Sequence, residues 1–240
     1  MKHISYLLRQ SGYTIFAFAY FLWMALEFTV RGFFLITLGG STPAHKEKYH
    51  QLLCKRAAFV MQRIPGATFS YSNPTGEDFS NPAVIISNHQ SHLDLMAIMM
   101  LTPKIIILTK QWVWHNPFYG AIIRYADFFP VSDTEDMSRR IKTKIEQGYS
   151  VMIFPEGTRS EDCKIKRFHR GAFFLAEQLN LDIIPVMIEG FGKVLPKSSW
   201  HLHPGEMKMT VYQRIRREEI TDGYRVLTKK MHNFYQEELS

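Results

Sequence analysis

The sequence predicts an α/β fold: a layered domain with a mostly parallel central sheet flanked by helices, preceded by an N-terminal membrane-associating helical segment. Two observations carry this prediction. Short Ile- and Val-rich runs alternate with helical stretches from residue 83 onward, and a long apolar run occupies the amino-terminal end. Short runs of that kind suit strands buried on both faces, and their alternation with helices is the pattern of parallel sheets. At 240 residues, one globular domain with a short extension is expected. The division is placed at residues 1–65, an apolar anchor followed by an amphipathic helix, and residues 66–240, the domain that carries the motifs.

From Tyr13 to Leu38, 26 residues, the only charged side chains are Glu27 and Arg31. About 20 apolar residues span a bilayer core as a helix, and Tyr13 to Val30 nearly meets that length. A charge inside the run opposes insertion, and Arg31-Gly32 divides it, so the expectation is a shallow anchor lying in or dipping into one leaflet. An ordinary buried helix is the alternative. A signal peptide fits less well, because the run is long and Trp23 and Glu27 interrupt it.

Ser41-Thr42-Pro43 reads as a helix start, and Ala44 to Ile64 places Leu52, Leu53, Ala57, Phe59, Val60 and Met61 among basic residues, an amphipathic helix. A polar, turn-rich stretch from Tyr71 to Pro82 follows. Strands are expected at Ala83–Ser87, Lys104–Thr109, Asp127–Val131, Ser150–Phe154 and Asp182–Ile188, with helices at Leu93–Leu101, Pro117–Arg124, Thr134–Gln147 and Gly171–Leu179 between them. A late strand at Lys208–Tyr212 and a helix from Tyr224 to Glu238 close the chain.

Twenty-nine Lys and Arg against 22 Asp and Glu give a net charge of +7, which favours partners that carry phosphate. Zinc-finger and RNA-recognition signatures and long basic runs are missing, so no nucleic-acid partner is expected. Cys54 and Cys163 lie far apart with no Cys-x-x-Cys pair, which suggests neither a disulfide framework nor a thiolate metal site. A reducing, cytoplasmic setting fits that usage.

Ser87-Asn88-His89-Gln90-Ser91-His92-Leu93-Asp94 follows directly on an apolar strand, and in α/β folds chemistry gathers at strand ends. His89 and Asp94 are five residues apart, about 140° around a regular helix. They meet only if His89 lies outside the helix, as a Ser91 N-cap with the helix running from His92 would allow. Imidazole is the side chain suited to removing a hydroxyl proton near neutral pH, and a carboxylate on its other nitrogen fixes the tautomer. A buried structural histidine and a metal cluster of His89, His92 and Asp94 are the competing readings of this motif taken alone.

Some 60 to 70 residues later, after the strand at Ser150–Phe154, comes Phe154-Pro155-Glu156-Gly157-Thr158-Arg159-Ser160. The two motifs together, in this order and spacing, resemble the glycerolipid acyltransferase family that includes lysophosphatidic acid acyltransferase. Arg167-Phe168-His169-Arg170-Gly171 and Pro185 in Ile183-Ile184-Pro185-Val186 add weaker matches, and the resemblance covers roughly residues 82–190. It implies an acyltransferase, membrane-associated at the cytoplasmic face of the cell membrane. The transfer runs from acyl-CoA or acyl-carrier protein to a hydroxyl of a lyso-lipid such as 1-acylglycerol-3-phosphate, in phospholipid or related lipid synthesis.

By that resemblance His89 abstracts the acceptor proton, Asp94 supports it, and Glu156, Gly157, Thr158 and Arg159 shape the acceptor site. The guanidinium of Arg159 suits phosphate, and Gly157 suits close backbone approach to a ligand. Glu156, which would repel phosphate, is expected to orient Arg159 or bind a hydroxyl. The cluster Lys164, Lys166, Arg167 and Arg170 offers positive potential to donor or lipid phosphates. No metal and no cofactor beyond the donor co-substrate is implied.

One departure stands out. Where the family places a phosphate-gripping arginine, this chain has Ser132 and Asp133, leaving Arg124, Arg139 or Arg140 as substitutes. A lyso-aminolipid or other non-phosphate acceptor therefore enters as an alternative. A non-catalytic lipid-binding module and a metal hydrolase are the readings from other classes, and for the hydrolase His115, His169, His201 and His203 lack ligand spacing.

Overall fold

A computed structural model of the chain describes residues 2–130 and 135–239. Among the described residues seven strands form one sheet: β1 (Ala67–Ser72), β2 (Ala83–Ser87), β3 (Ile105–Thr109), β4 (Phe129–Pro130), β5 (Ser150–Ile153), β6 (Asp182–Glu189) and β7 (Gly205–Val211). Their spatial order is β1-β7-β6-β2-β5-β3-β4, and every pairing is parallel except β6 with β7. The helices are α1 (Lys2–Gly32), α2 (Pro43–Met61), α3 (Leu93–Met99), α4 (Gln111–Trp114), α5 (Gly120–Tyr125), α6 (Glu135–Glu146), α7 (Gly171–Gln178), α8 (Phe191–Val194) and α9 (Gly223–Glu238).

Central β2 shows why the run Ala-Val-Ile-Ile-Ser becomes a strand: all five residues are buried. Successive side chains of a strand point to opposite faces. Ala83 and Ile85 therefore join the core shared with Tyr49, Ala97 and Ile106, whereas Val84 and Ile86 join Phe168, Phe173, Leu227 and Tyr235 on the other face. The expected β-rich runs all form strands, with ends shifted by up to three residues. For the run at Asp127–Val131 the described strand is Phe129–Pro130, and residues 131–134 lie outside the described residues.

Edge strand β1 was not anticipated. Its sequence, Ala-Thr-Phe-Ser-Tyr-Ser, is polar and half exposed, and it becomes a strand through six parallel pairings with β7, more than 130 residues later.

The apolar amino terminus is one helix through Arg31-Gly32, continued by a wider π-helical stretch at Phe33–Leu38, so the expected division there does not occur. Two contacts explain it. Gly32 lies against the ring of Tyr125, where any Cβ would clash, so the glycine serves close packing instead of breaking the helix. The charge of Glu27 is answered by Arg31 and by Arg56 of α2, each at 2.8 Å. One face of α1 is core: Met24, Ala25 and Phe28 are buried, and the hydroxyl of buried Tyr49 donates to the Phe28 carbonyl at 3.1 Å. The other face leaves Ile15, Phe16, Phe18, Trp23, Leu26 and Val30 exposed. The stretch Gln10–Leu38 is long and apolar enough to cross a membrane, with mean hydropathy 1.6 and 28% burial over its 18-residue apolar window.

This two-faced packing predicts unequal costs along α1. Phe28→Ala, at a position 2% exposed, should cost about 3–5 kcal/mol. Phe16→Ala, at a position 62% exposed, should stay within about 0.5 kcal/mol. Urea unfolding of both variants in the same detergent checks the difference.

Candidate active site

Strands β2 and β5 are parallel neighbours, with Val84, Ile85 and Ile86 opposite Val151, Met152 and Ile153. Their carboxyl ends therefore release the two motifs side by side, although His89 and Glu156 are 67 residues apart. This is the place where open α/β sheets gather ligands. Asn88, buried at the end of β2, locks the other neighbour: its amide nitrogen donates to the Ile188 carbonyl at 2.8 Å and its oxygen accepts the Ile188 N–H at 2.9 Å. The hydroxyl of buried Tyr235 in α9 lies 3.0 Å from the carbonyls of both Ile86 and Val186, bracing β2 and β6 from beneath.

His89 Nδ1 lies 2.7 Å from Asp94 Oδ2. The same oxygen accepts the backbone N–H of Gln90 at 2.6 Å and of Ser91 at 2.8 Å. The helix begins at Leu93 as expected, but with His92 and not Ser91 as N-cap. Ser91 serves elsewhere, its hydroxyl donating to the Leu195 carbonyl at 2.8 Å and accepting the Leu93 N–H. His89 consequently stands outside the helix, and Asp94, near its first turn, reaches back across the loop.

An oxygen already taken by two N–H donors is an acceptor, so the proton of the His89–Asp94 bond belongs to Nδ1. Nε2 is then left with its lone pair, and it has no hydrogen-bond partner among the described residues. Complete burial pushes the Asp94 carboxyl up, and the bonds from His89, Ser91 and Gln90 pull it back.

The segment at 154–160 holds His89 on three sides. Phe154 stacks on the imidazole with ring centroids 3.9 Å apart and planes 14° apart. Glu156 Oε1 accepts the His89 N–H at 2.8 Å, and the Ser160 N–H donates to the His89 carbonyl at 2.7 Å. The second oxygen of Glu156 accepts the Lys166 N–H at 3.0 Å. Glu156 is 3% exposed, and the hydrogen bonds of its two oxygens are with backbone N–H groups, whereas the sequence reading expected it to orient Arg159 or bind a hydroxyl. Burial raises its carboxyl to about 7, against the pull of those two amides.

Gly157 has φ of 65°, and a Cβ there would come within 3.3 Å of the His169 ring. Its glycine thus answers a left-handed turn, closed by its N–H bonding the Phe154 carbonyl at 3.0 Å. Thr158 is exposed. The half-buried guanidinium of Arg159 has no carboxylate partner among the described residues; burial lowers its pKa, while Asp94 and Tyr119 act to raise it. The basic cluster divides: Lys166 turns inward, its Nζ donating to the Arg159 carbonyl at 3.1 Å, whereas Lys164, Arg167 and Arg170 are exposed.

His92 stands apart from the pair, its ring stacked on Trp200 with centroids 5.8 Å apart. Burial, with the charges of Arg159 and His89, pushes it down to about 4. Among the described residues no three His, Cys, Asp or Glu side chains converge as a metal-ligand set, the proposed trio of His89, His92 and Asp94 included.

The three substitute arginines are otherwise engaged: Arg124 donates to the Trp114 carbonyl at 2.6 Å, Arg139 pairs with Asp136 at 2.6 Å, and Arg140 covers the ring of Phe129. Ser132 and Asp133 lie outside the described residues. Burial pushes the thiols of Cys54 and Cys163 up. Neither is an activated nucleophile. Sequence reading missed Phe154, Ser160 and Asn88 as site-builders, because the hydrogen bonds of Asn88 and Ser160 are made by backbone or to backbone, the Phe154 contact is a ring stack, and only the fold reveals the partners.

Fold and site define a class: an α/β chain with a carboxylate-oriented histidine at a central strand end, braced by a second motif from the adjacent parallel strand. The family model for acyltransferases matches residues 67–189. The chain belongs to that acyltransferase family. It is 28% identical over 183 residues to the chloroplastic 1-acyl-sn-glycerol-3-phosphate acyltransferase of Arabidopsis thaliana, covering 71% of this chain and 50% of that protein. It is also 30% identical over 149 residues to the human 1-acyl-sn-glycerol-3-phosphate acyltransferase alpha, covering 59% of this chain and 53% of the relative. The chain spans about half the length of the curated relatives it matches. The crystal structure of the 1-acyl-sn-glycerophosphate acyltransferase PlsC from Thermotoga maritima shares the fold, with a TM-score of 0.76 at 20% identity over 99% of this chain and 96% of that one.

The elevated Glu156 carboxyl has a testable sign. The folded protein takes up a proton between about pH 7 and the ordinary carboxylate range near 4.5 that the unfolded chain does not. The contribution of Glu156 to stability is therefore full at acid pH and is lost as pH rises through about 7. Denaturant unfolding of the wild type and Glu156→Gln from pH 4.5 to 8 should show the wild type losing stability relative to the variant across that window.

Proposed function

We propose that the protein transfers a fatty acyl group from acyl-CoA or acyl-carrier protein to the hydroxyl of a lyso-lipid, with 1-acylglycerol-3-phosphate the favoured acceptor. The observation that carries the reading is the His89–Asp94 bond at 2.7 Å, which leaves Nε2 as the basic nitrogen beside the segment at 154–160. Family membership and relatives named as 1-acyl-sn-glycerol-3-phosphate acyltransferases support the reaction class and the acceptor. The Arg159 guanidinium, with no carboxylate partner among the described residues, supports a phosphate on that acceptor.

In this mechanism Nε2 of His89 takes the acceptor hydroxyl proton as the oxygen attacks the thioester carbonyl. Asp94 stabilises the imidazolium that results. The tetrahedral oxyanion then collapses, the carbon–sulfur bond breaks, and the departing thiolate recovers the proton from His89. No acyl-enzyme is needed, in keeping with two thiols that burial holds in the neutral form. The exposed face of α1, with Phe16, Trp23, Leu26 and Val30, supports attachment to a lipid surface, and the exposed Lys164, Arg167 and Arg170 suit phosphates of donor or headgroup.

Removing a general base costs about 10² to 10⁴ in rate. His89→Ala should lose that much turnover while staying folded, and Asp94→Asn should fall steeply, since an amide holds the imidazole in the wrong tautomer. His92→Ala should lose far less. Transfer from radiolabelled acyl-CoA to 1-acylglycerol-3-phosphate, followed by lipid chromatography, is the measurement. A folded His89→Ala with normal turnover would remove the base assignment, and absence of any thioester consumption by the wild type would leave a lipid-binding module.

The two cysteines give an independent check on direct transfer. Cys54→Ser/Cys163→Ser together should keep most of the activity, and an acyl group trapped covalently on either thiol would overturn the one-step mechanism.

A further inference from the structure

Glu156 sits in the motif that the sequence reading assigned to the acceptor, yet both of its oxygens are spent on backbone. Oε1 accepts from the His89 N–H at 2.8 Å and Oε2 from the Lys166 N–H at 3.0 Å, and the residue is 3% exposed. A carboxylate anchored to two backbone amides and buried to this degree offers almost no surface through which a ligand would reach it.

Its neighbours make the same connection from other directions. Ser160 N–H holds the carbonyl of the same residue, His89, at 2.7 Å, and Phe154 covers the imidazole face at 3.9 Å. Asp94 fixes Nδ1. The main chain of His89 is thus held at its N–H by Glu156 and at its carbonyl by Ser160, both from the loop that follows β5. Only the torsions of the side chain remain, and Asp94 and Phe154 settle those.

We propose that Glu156 is a positioning residue: it acts through the backbone of His89, setting where Nε2 stands, and makes no contact with the acceptor. Lys166, bonded to the other oxygen, ties the basic loop to the same carboxylate, so one buried side chain joins the base, the turn at Gly157 and the cationic segment. This inference rests on His89 being the base, as proposed above. It differs from an acceptor-binding role in what a substitution should do to the kinetics. Losing a group that binds ground state and transition state alike raises KM, whereas misplacing the base lowers kcat.

Glu156→Gln is nearly isosteric, but its amide offers one acceptor oxygen and confronts the second N–H with an NH₂ group. With acyl-CoA and 1-acylglycerol-3-phosphate in detergent micelles, kcat should fall at least tenfold while the acceptor KM changes less than about threefold. Glu156→Asp, which keeps two acceptor oxygens on a shorter stem, should recover part of kcat. It carries the same comparison if the amide variant melts below the assay temperature. In a His89→Ala background, Glu156→Gln should cost little more, because residues that act as a unit are not additive.

The outcomes separate cleanly. A rise in acceptor KM of tenfold or more with kcat intact, or a full further loss in the His89→Ala background, would overturn the positioning role and restore Glu156 to the acceptor site. If His89→Ala alone keeps its turnover, it is the general-base reading that fails, and this inference falls with it.

Discussion

Asp94 is wholly buried, and a carboxylate removed from water must find its compensation in hydrogen bonds. It finds three on a single oxygen, from His89 Nδ1 and from the N–H groups of Gln90 and Ser91. Much of the site's geometry follows from that requirement. The loop at 89–91 must curl around the carboxylate, so α3 cannot begin before Leu93, and His89 must stay outside it. The imidazole must donate from Nδ1, so Nε2 is left basic. The second oxygen, Oδ1, is buried without a hydrogen-bond partner among the described residues, and the charge is therefore concentrated on the side that serves the histidine.

A single charged hinge of this kind would leave the His89 backbone to wander, and the neighbouring strand supplies the restraint. Because β2 and β5 run parallel and in register, the loop at 154–160 arrives where it can grip the peptide of His89 from both ends. Two carboxylates, Asp94 and Glu156, are thereby buried near each other, and their mutual repulsion adds to the desolvation that raises Glu156. The sheet bears that cost because its centre is nearly pure Ala, Val and Ile, buried on both faces. If His89 is the base proposed above, this burial leaves it already in place before reaction.

Much of the architecture was legible in the sequence. Strands such as Ala83–Ser87 and Asp182–Glu189 are written as unbroken apolar runs, and burial on both faces is the reason such runs exist. Both motifs could be placed at strand ends, whereas their adjacency follows from the strand order that sets β2 beside β5, which the sequence does not show. What was not legible depends on distant partners. Strand β1 has an ordinary polar sequence and exists only because β7 lies beside it. Gly32 looked like a break in the apolar helix because its role is to admit the ring of Tyr125, from an element 93 residues away. Glu156 was expected to orient Arg159 or bind a hydroxyl, and in the structure its two oxygens hold the N–H groups of His89 and Lys166. Its bonds to backbone amides carry no sequence signature, and neither does the Ser160 N–H on the His89 carbonyl.

The proposed chemistry depends on the protonation pattern of one imidazole, which can be observed without substrate. Nitrogen-15 NMR of the folded protein carrying ¹⁵N-histidine, with His89 assigned by loss of its signals in His89→Gln, reads which ring nitrogen holds the proton. At a pH where the ring is neutral, Nδ1 should be protonated, with its proton shifted far downfield by the bond to Asp94, and Nε2 unprotonated. A proton found on Nε2, with Nδ1 bare, would contradict the proposed chemistry, because no lone pair would then face the acceptor hydroxyl.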